Sequence, residues 1–367
     1  MRRELYAGVM SGTSLDGVDV VVAEFATGPG RPCELLAATA TSFAATLRDE
    51  LVALQRADGD ELARAARAAN ALADMYASAI TTTARAAGVA ITDLVAAGVH
   101  GQTVRHRPDQ GWTVQLNNPA RVAELAGVTV VADFRSRDVA AGGEGAPLVP
   151  AFHAAMFGGE RHRVIVNVGG IANLTDLPPG GTVRGFDTGP GNVLLDAWHG
   201  RHRGGRYDAD GAWARSGRVD SALLAGLLAE PFFARRPPKS TGRDLFDLGW
   251  LEAALVGHRF TPVDVQATLV ALTARTIADA IRAECAEAVE VLVCGGGAKN
   301  PLLMRALVTE LVPRTVTTTT ALGVAVEHVE ALAFAWLARE TLAGRPGNLP
   351  AVTGARGPRI LGAVYAR

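Results

Sequence analysis

Two segments half a chain apart share one layout, and that echo limits the fold more than any other feature. Residues 6–20, YAGVMSGTSLDGVDV, and residues 163–177, RVIVNVGGIANLTDL, each read as apolar strand, short polar glycine tip, second strand. Each opens a block of alternating elements. In the first block, strands over 5–10 and 18–25 precede helix-rich sequence from 47 to 88, closed by Gly88. LVAAGVH (94–100), TVQLNN (113–118) and VTVVADF (128–134) read as strands, with a helix over 119–127 started by Pro119. In the second block, helices over 221–230 and 264–287 precede VEVLVCGGG (289–297), a strand entering a glycine turn. Helices follow over NPLLMRALVTEL and 327–343, then a Pro- and Gly-rich tail with a short last strand. Alternating strands and helices define an α/β protein. A duplicated hairpin predicts two similar lobes, their tips facing across a cleft.

Composition narrows the function. The 367 residues leave room for two domains of about 100–200 residues each. Lys and Arg number 36 against 37 Asp and Glu, so the basic excess of a nucleic-acid binder is missing. Cys33, Cys285 and Cys294 have no CxxC spacing, which argues against a zinc site or disulfide framework. No apolar run reaches the roughly 18 residues of a membrane span, and the first residues lack a signal-peptide pattern. The expectation is a reduced cytoplasmic protein. GxxxxGK[ST], GxSxG and HExxH are all missing, which disfavours a P-loop, a serine hydrolase and a zinc hydrolase.

Each polar segment carries two readings. SGTSLDG (11–17) suits a plain hairpin turn, or a phosphate loop with backbone N–H groups, hydroxyls of Ser11, Thr13 and Ser14, and Asp16 toward a metal. GGIANLT (169–175) is either a second turn or the second side of a phosphate clamp. CGGGAKN (294–300) is a tight turn, or a place where a ligand lies on bare backbone before a helix N-terminus. Asp187 in GFDTGPGN is a turn residue or a general base. His100, Gln102, Arg105 and His106 sit just past a strand, where α/β sheets bind ligands. Asn117, Asn118, Arg121, Asp133, Arg135 and Asp138 are solvated loop groups, or amides and guanidinium groups for an acidic sugar. The two histidines lack a third ligand at metal spacing.

Taken in order, GVMSGTSLDGVD, GVHGQTVRHRP, ADFRSRDVAAGGEGAPLVP, NVGGIANLT, GFDTGPGN, CGGGAKN and EALAFAWLA resemble the anhydro-N-acetylmuramic acid kinase family, of the sugar kinase, Hsp70 and actin superfamily, across essentially the whole chain. The resemblance implies two RNase H-like lobes around a nucleotide and sugar cleft. Residues 1–131 plus 346–367 would form the N-terminal lobe and 132–345 the C-terminal lobe. It implies ATP-dependent phosphorylation of 1,6-anhydro-N-acetylmuramic acid with hydrolytic ring opening, giving N-acetylmuramic acid 6-phosphate in cell-wall recycling.

By that resemblance Ser11, Gly12, Thr13, Ser14, Leu15, Asp16, Gly17 and Val18 bind ATP phosphates, joined by Gly169, Gly170 and Asn173. Gly295, Gly296, Gly297 and Asn300 lie by the adenosine, and Asp16 serves Mg²⁺ directly or through water. Asp187 activates water for attack at C1 while the freed O6 attacks the γ-phosphate. His100, Gln102, Asn118, Arg121, Arg135 and Glu330 form the sugar site. One departure is Asn117-Asn118, where the family commonly has Gly-Asp. The implied partners are a small sugar and a second copy of the chain, with no nucleic acid and no membrane. A kinase of another sugar, a nucleotide-binding chaperone or filament protein, and a non-catalytic sugar-binding regulator are the competing readings.

Overall fold

The computed structural model describes residues 4–12, 15–25, 33–56, 59–242 and 244–367. It divides into two compact units, residues 1–156 with 328–367, and residues 157–327.

The first unit opens with β1 (Glu4–Ser11), β2 (Gly17–Phe25) and β3 (Cys33–Ser42), an antiparallel meander. Two helices follow, α1 (Ala45–Ala53) and α2 (Glu61–Ala86). Along α2, Leu72, Tyr76, Ile80 and Ala84 recur every fourth position and are buried, the stripe expected of a helix lying on a sheet. Then come β4 (Leu94–Arg107), β5 (Trp112–Leu116), α3 (Pro119–Ala126), β6 (Val130–Ala132), α4 (Ser136–Ala140) and α5 (Val149–Phe157). β4 runs parallel to β1 and to β6, and its far half pairs antiparallel with β5. Strand β4 is twice the expected length, so His100, Gln102, Arg105 and His106 lie inside it rather than beyond its end. The pairing with β5 is what keeps the chain extended there. β6 is shorter than the expected 128–134.

The second unit repeats the plan. β7 (Arg163–Val168), β8 (Ile171–Leu177) and β9 (Arg184–Pro190) form an antiparallel meander. Helices α6 (Val193–Arg203), α7 (Ala212–Arg215), α8 (Ser221–Leu228), α9 (Pro231–Ala234), α10 (Leu248–Leu255) and α11 (Pro262–Glu284) follow. Next come β10 (Glu290–Cys294), α12 (Pro301–Glu310) and β11 (Thr315–Thr318). β10 runs parallel to both β7 and β11, giving the order β11-β10-β7-β8-β9.

The chain then returns to the first unit with α13 (Val329–Leu342), α14 (Pro350–Thr353) and β12 (Ala363–Tyr365). β12 pairs with β6, completing the order β12-β6-β4-β1-β2-β3. Both units therefore place an antiparallel 3-2-1 meander beside two strands parallel to the first. That is the RNase H-like α/β topology, present twice.

The expected boundaries at 131/132 and 345/346 are corrected, because residues 132–156 and α13 belong to the first unit. Helix α13 is buried along almost its whole length and lies on β1 and β4 at backbone contact. A Cβ on Gly8 would fall 1.9 Å from the Ala331 carbonyl oxygen, and one on Gly98 would fall 2.0 Å from that of Phe334. Only glycine admits so close an approach.

Candidate functional site

The tip of the first hairpin is fastened to its own unit. Ser11 is buried; its Oγ lies 2.8 Å from the Tyr76 hydroxyl and donates to the Gly101 carbonyl at 3.1 Å. That hydroxyl is turned inward, to Tyr76 and Gly101. The Gly12 carbonyl accepts from Leu15 N at 3.2 Å and from Gln102 Nε2 at 3.1 Å. Leu15 holds φ of +57° with its side chain in the core. A non-glycine residue there carries a backbone cost of about 1–3 kcal/mol, which burial of the leucine opposes. Val18 is likewise a core residue, so neither Leu15 nor Val18 has a side chain for a ligand. Gly17 is required by packing, since a Cβ there would meet the Thr41 carbonyl oxygen at 2.2 Å. Thr13 and Ser14 lie outside the described residues. Asp16 and Asp19 have exposed side chains beside this tip.

Deeper in the same unit, His100 and Arg135 form a pair. The imidazole is buried and packs on the Phe334 ring at 4.7 Å between centroids. Arg135 Nε and Nη2 both lie on His100 Nε2, at 3.0 and 2.9 Å. A guanidinium can only donate, so Nε2 is the unprotonated nitrogen and the ring is neutral. Burial, then the Arg135 charge, holds the His100 pKa far below its ordinary value. Burial also lowers Arg135, to about 10, against the opposing pull of Glu330 and Asp138. Glu330, on α13, has its carboxyl raised by burial and by Asp19, with Arg135 acting the other way. Arg135 Nη1 donates to the Gly145 carbonyl at 2.7 Å.

Asp138, which shows no such role in sequence, holds that loop. Its Oδ2 accepts from Gly145 N at 2.8 Å, and its Oδ1 from Asn348 Nδ2 at 2.6 Å and Thr353 Oγ1 at 2.8 Å. These partners come from the distant tail, so no local sequence signal announces them.

The other expected sugar ligands are employed elsewhere. Gln102 is fully buried, and its Nε2 bonds the Gly12 and Thr103 carbonyls. It braces the hairpin tip, and its buried Oε1 has no partner among the described residues. Arg105 pairs with Glu61 at 2.5 Å, and His106 Nδ1 with Thr113 Oγ1 at 2.9 Å. Asn118 caps α3 by accepting from Arg121 N at 3.1 Å, and donates to Asn70 Oδ1 at 2.7 Å. Arg121 forms a two-pronged pair with Asp74, at 2.6 and 3.2 Å. Both therefore bond to α2 rather than to His100 or Arg135. Packing of α3 on α2 sets that choice, and the Asn118 oxygen does the capping an aspartate would do.

In the second unit a polar row crosses the sheet. Register places Asn167 opposite Asn173 and Asn173 opposite Asp187. All three are half-buried, and Asn167 was not singled out from the sequence. Asp187 Oδ2 accepts from Ser240 Oγ at 3.0 Å and Thr241 N at 2.9 Å, and Asp187 N donates to the Lys239 carbonyl at 3.1 Å. Oδ1 receives no bond from a described residue. Burial raises the Asp187 carboxyl pKa, while the bonds from Thr241 and Ser240 and the Lys239 charge oppose the shift. One oxygen fixed, one oxygen open and a raised pKa suit a general base.

Three glycine segments meet beside this row. The Gly169 and Gly170 carbonyls accept from Asn192 N at 2.8 Å, Gly191 N at 2.9 Å and Val193 N at 3.0 Å. Cβ atoms on Gly295 and Gly297 would fall 2.3 Å from Asn167 Oδ1 and from Val168 Cγ1. Those glycines are explained by packing. Asn300 is a helix cap, its Oδ1 accepting from Leu302 N and Leu303 N at 3.0 and 3.2 Å. Gly169 and Gly296 differ: a Cβ there would have nothing nearer than 3.5 and 3.7 Å. Their bare backbone leaves room that no protein neighbour fills, and this fits a bound phosphate ester such as ATP. No cluster of three His, Cys, Asp or Glu able to hold a metal occurs among the described residues.

The sequence model of the anhydro-N-acetylmuramic acid kinase family matches residues 4–367. An anhydro-N-acetylmuramic acid kinase of Thiobacillus denitrificans is 54% identical over 365 residues, covering 99% of this chain and 97% of its own. One of Bordetella pertussis is 59% identical over 365 residues, covering 98% and 96%. One of Cupriavidus pinatubonensis is 55% identical over 371 residues, covering 99% and 98%.

Proposed function

Because the chain belongs to the anhydro-N-acetylmuramic acid kinase family, we propose that it hydrolyses the 1,6-anhydro bridge of anhydro-N-acetylmuramic acid and phosphorylates O6, giving N-acetylmuramic acid 6-phosphate and ADP. The observation that carries this reading is Asp187, with Oδ2 held by Ser240 and Thr241 and Oδ1 open. A kinase acting on a free hydroxyl needs only to deprotonate that hydroxyl. Opening the bridge also requires a base for the incoming water, as in an inverting glycosidase.

In this reading Asp187 Oδ1 takes the proton of a water that adds to C1. The C1–O6 bond breaks, and O6 is released as the phosphoryl acceptor. Bound MgATP supplies the phosphoryl group. In the second unit, backbone at Gly169 and Gly296 would hold its phosphates; in the first, the family resemblance assigns Gly12 to the phosphates and Asp16 to their metal. Positioning and charge neutralisation are most of what such a transfer needs. Arg135, with Glu330 beside it, binds the acidic side of the sugar, since a guanidinium fork matches a carboxylate. Neutral His100 accepts from Arg135 and so fixes the fork. The reading includes a homodimer in the cytoplasm, supported by the family resemblance. No helix among the described residues is long and apolar enough to cross a membrane.

A coupled ADP assay on the purified protein tests the substrate. Turnover is expected with anhydro-N-acetylmuramic acid, and not with glucose, glycerol or N-acetylglucosamine. Equal turnover with any of the latter three would overturn the substrate assignment.

A further inference from the structure

We infer that Ser240 and Thr241 are positioning residues, which hold Oδ2 of Asp187 so that Oδ1 alone is offered as the base. This inference rests on the reading of Asp187 as the base. β9 ends the order of its sheet, and its outer edge is covered at Asp187 by the segment 239–241. Asp187 N donates to the Lys239 carbonyl, and the next two residues turn back onto the carboxylate. Both donors fall on Oδ2, and Oδ1 takes none from a described residue.

The segment is itself anchored. Lys239 is buried, its Nζ donates to the Phe232 and Phe233 carbonyls at 3.4 and 3.2 Å, and it stands 4.8 Å from the Phe232 ring centroid. Carbonyl dipoles and a ring face thus take up the ammonium. Ser240, next along, is exposed, yet its hydroxyl is fixed to a half-buried acid.

Among the described residues, the charged group that bears on Asp187 is Lys239. Around Asp187 and the end of β9 the described neighbours are Phe233, Thr273 and Thr276 and, from β8, Asn173, none of them charged; at the far end of β9, Arg184 pairs with Asp176 of β8 and Glu284 of α11. The Ser240 hydroxyl therefore matters to the proton affinity of Asp187. It donates to the ionised form and favours it. Removing it lets burial raise the pKa further. A base must be deprotonated to act, so the acid side of the rate profile moves to higher pH.

The test compares Ser240→Ala, Ser240→Thr and Asp187→Asn in the full chain, with kcat followed against pH. Ser240→Ala is expected to keep its melting temperature, to lose about tenfold in kcat and to move its acid limb up by about half to one pH unit. Ser240→Thr, which keeps the hydroxyl, restores both. If Asp187→Asn is inactive while Ser240→Ala keeps the wild-type rate or acid limb, the positioning role is overturned and the base stands. If Asp187→Asn turns over normally, the base reading falls and takes the positioning role with it.

Discussion

Asp187→Asn is expected to reduce kcat by about a thousandfold or more, the range for loss of a positioned general base, while sugar and nucleotide still bind. The amide has the shape of the carboxylate. Its oxygen can still accept from Ser240 Oγ and Thr241 N, so the 239–241 segment keeps its place. What is lost is the ability to take a proton at the second oxygen. Steady-state kinetics and ligand-induced shifts in melting temperature separate the two effects. A variant that retains binding but not turnover identifies Asp187 as the base. A variant with normal turnover removes it from the mechanism.

Arg135→Ala is expected to raise KM for the sugar by about 10- to 100-fold, the worth of a hydrogen bond to a charged group, with a much smaller change in KM for ATP. The substitution also strips both donors from the buried Nε2 of His100, and a lower melting temperature should accompany it. An orphaned buried acceptor costs about 1–3 kcal/mol. Arg135→Lys returns the charge but not the fork, and is expected to recover only part of the affinity. Kinetics with each substrate varied in turn check this; an unchanged sugar KM would exclude Arg135 from the sugar site.

Much of the architecture was legible because it depends on patterns that repeat locally. Both hairpins lie where the apolar runs and glycine tips place them. The helix over 119–126 starts at Pro119, as a first-turn proline predicts, and the helix expected over 264–287 spans 262–284. Long-range pairing was not legible. Nothing in HGQTVRHRP reveals that β5 will extend β4 to Arg107. Nor does EALAFAWLA show that its helix packs on Gly8 and Gly98, which moves the boundary of the first unit.

The candidate site divides in the same way. Residue types suited to binding were visible, but not how each one is employed. Ser11 and Gln102 look like ligand groups and turn out to brace a strained tip. Asn118 and Asn300 look like ligand amides and cap helices. Asp138 and Ser240 act on residues 7 to 215 positions away, which no local spacing could suggest. Asp187 keeps one carboxylate oxygen open, whereas His100 is buried with its Nε2 on Arg135.

The central claim is that water opens the sugar ring while O6 takes the phosphoryl group. Turnover of the anhydro sugar with ATP in ¹⁸O-labelled water, read by mass spectrometry, tests it directly. The account predicts a product heavier than the substrate by phosphate plus one water, with a single ¹⁸O at the anomeric carbon. A product heavier by phosphate alone, its ring still closed and free of label, would contradict it.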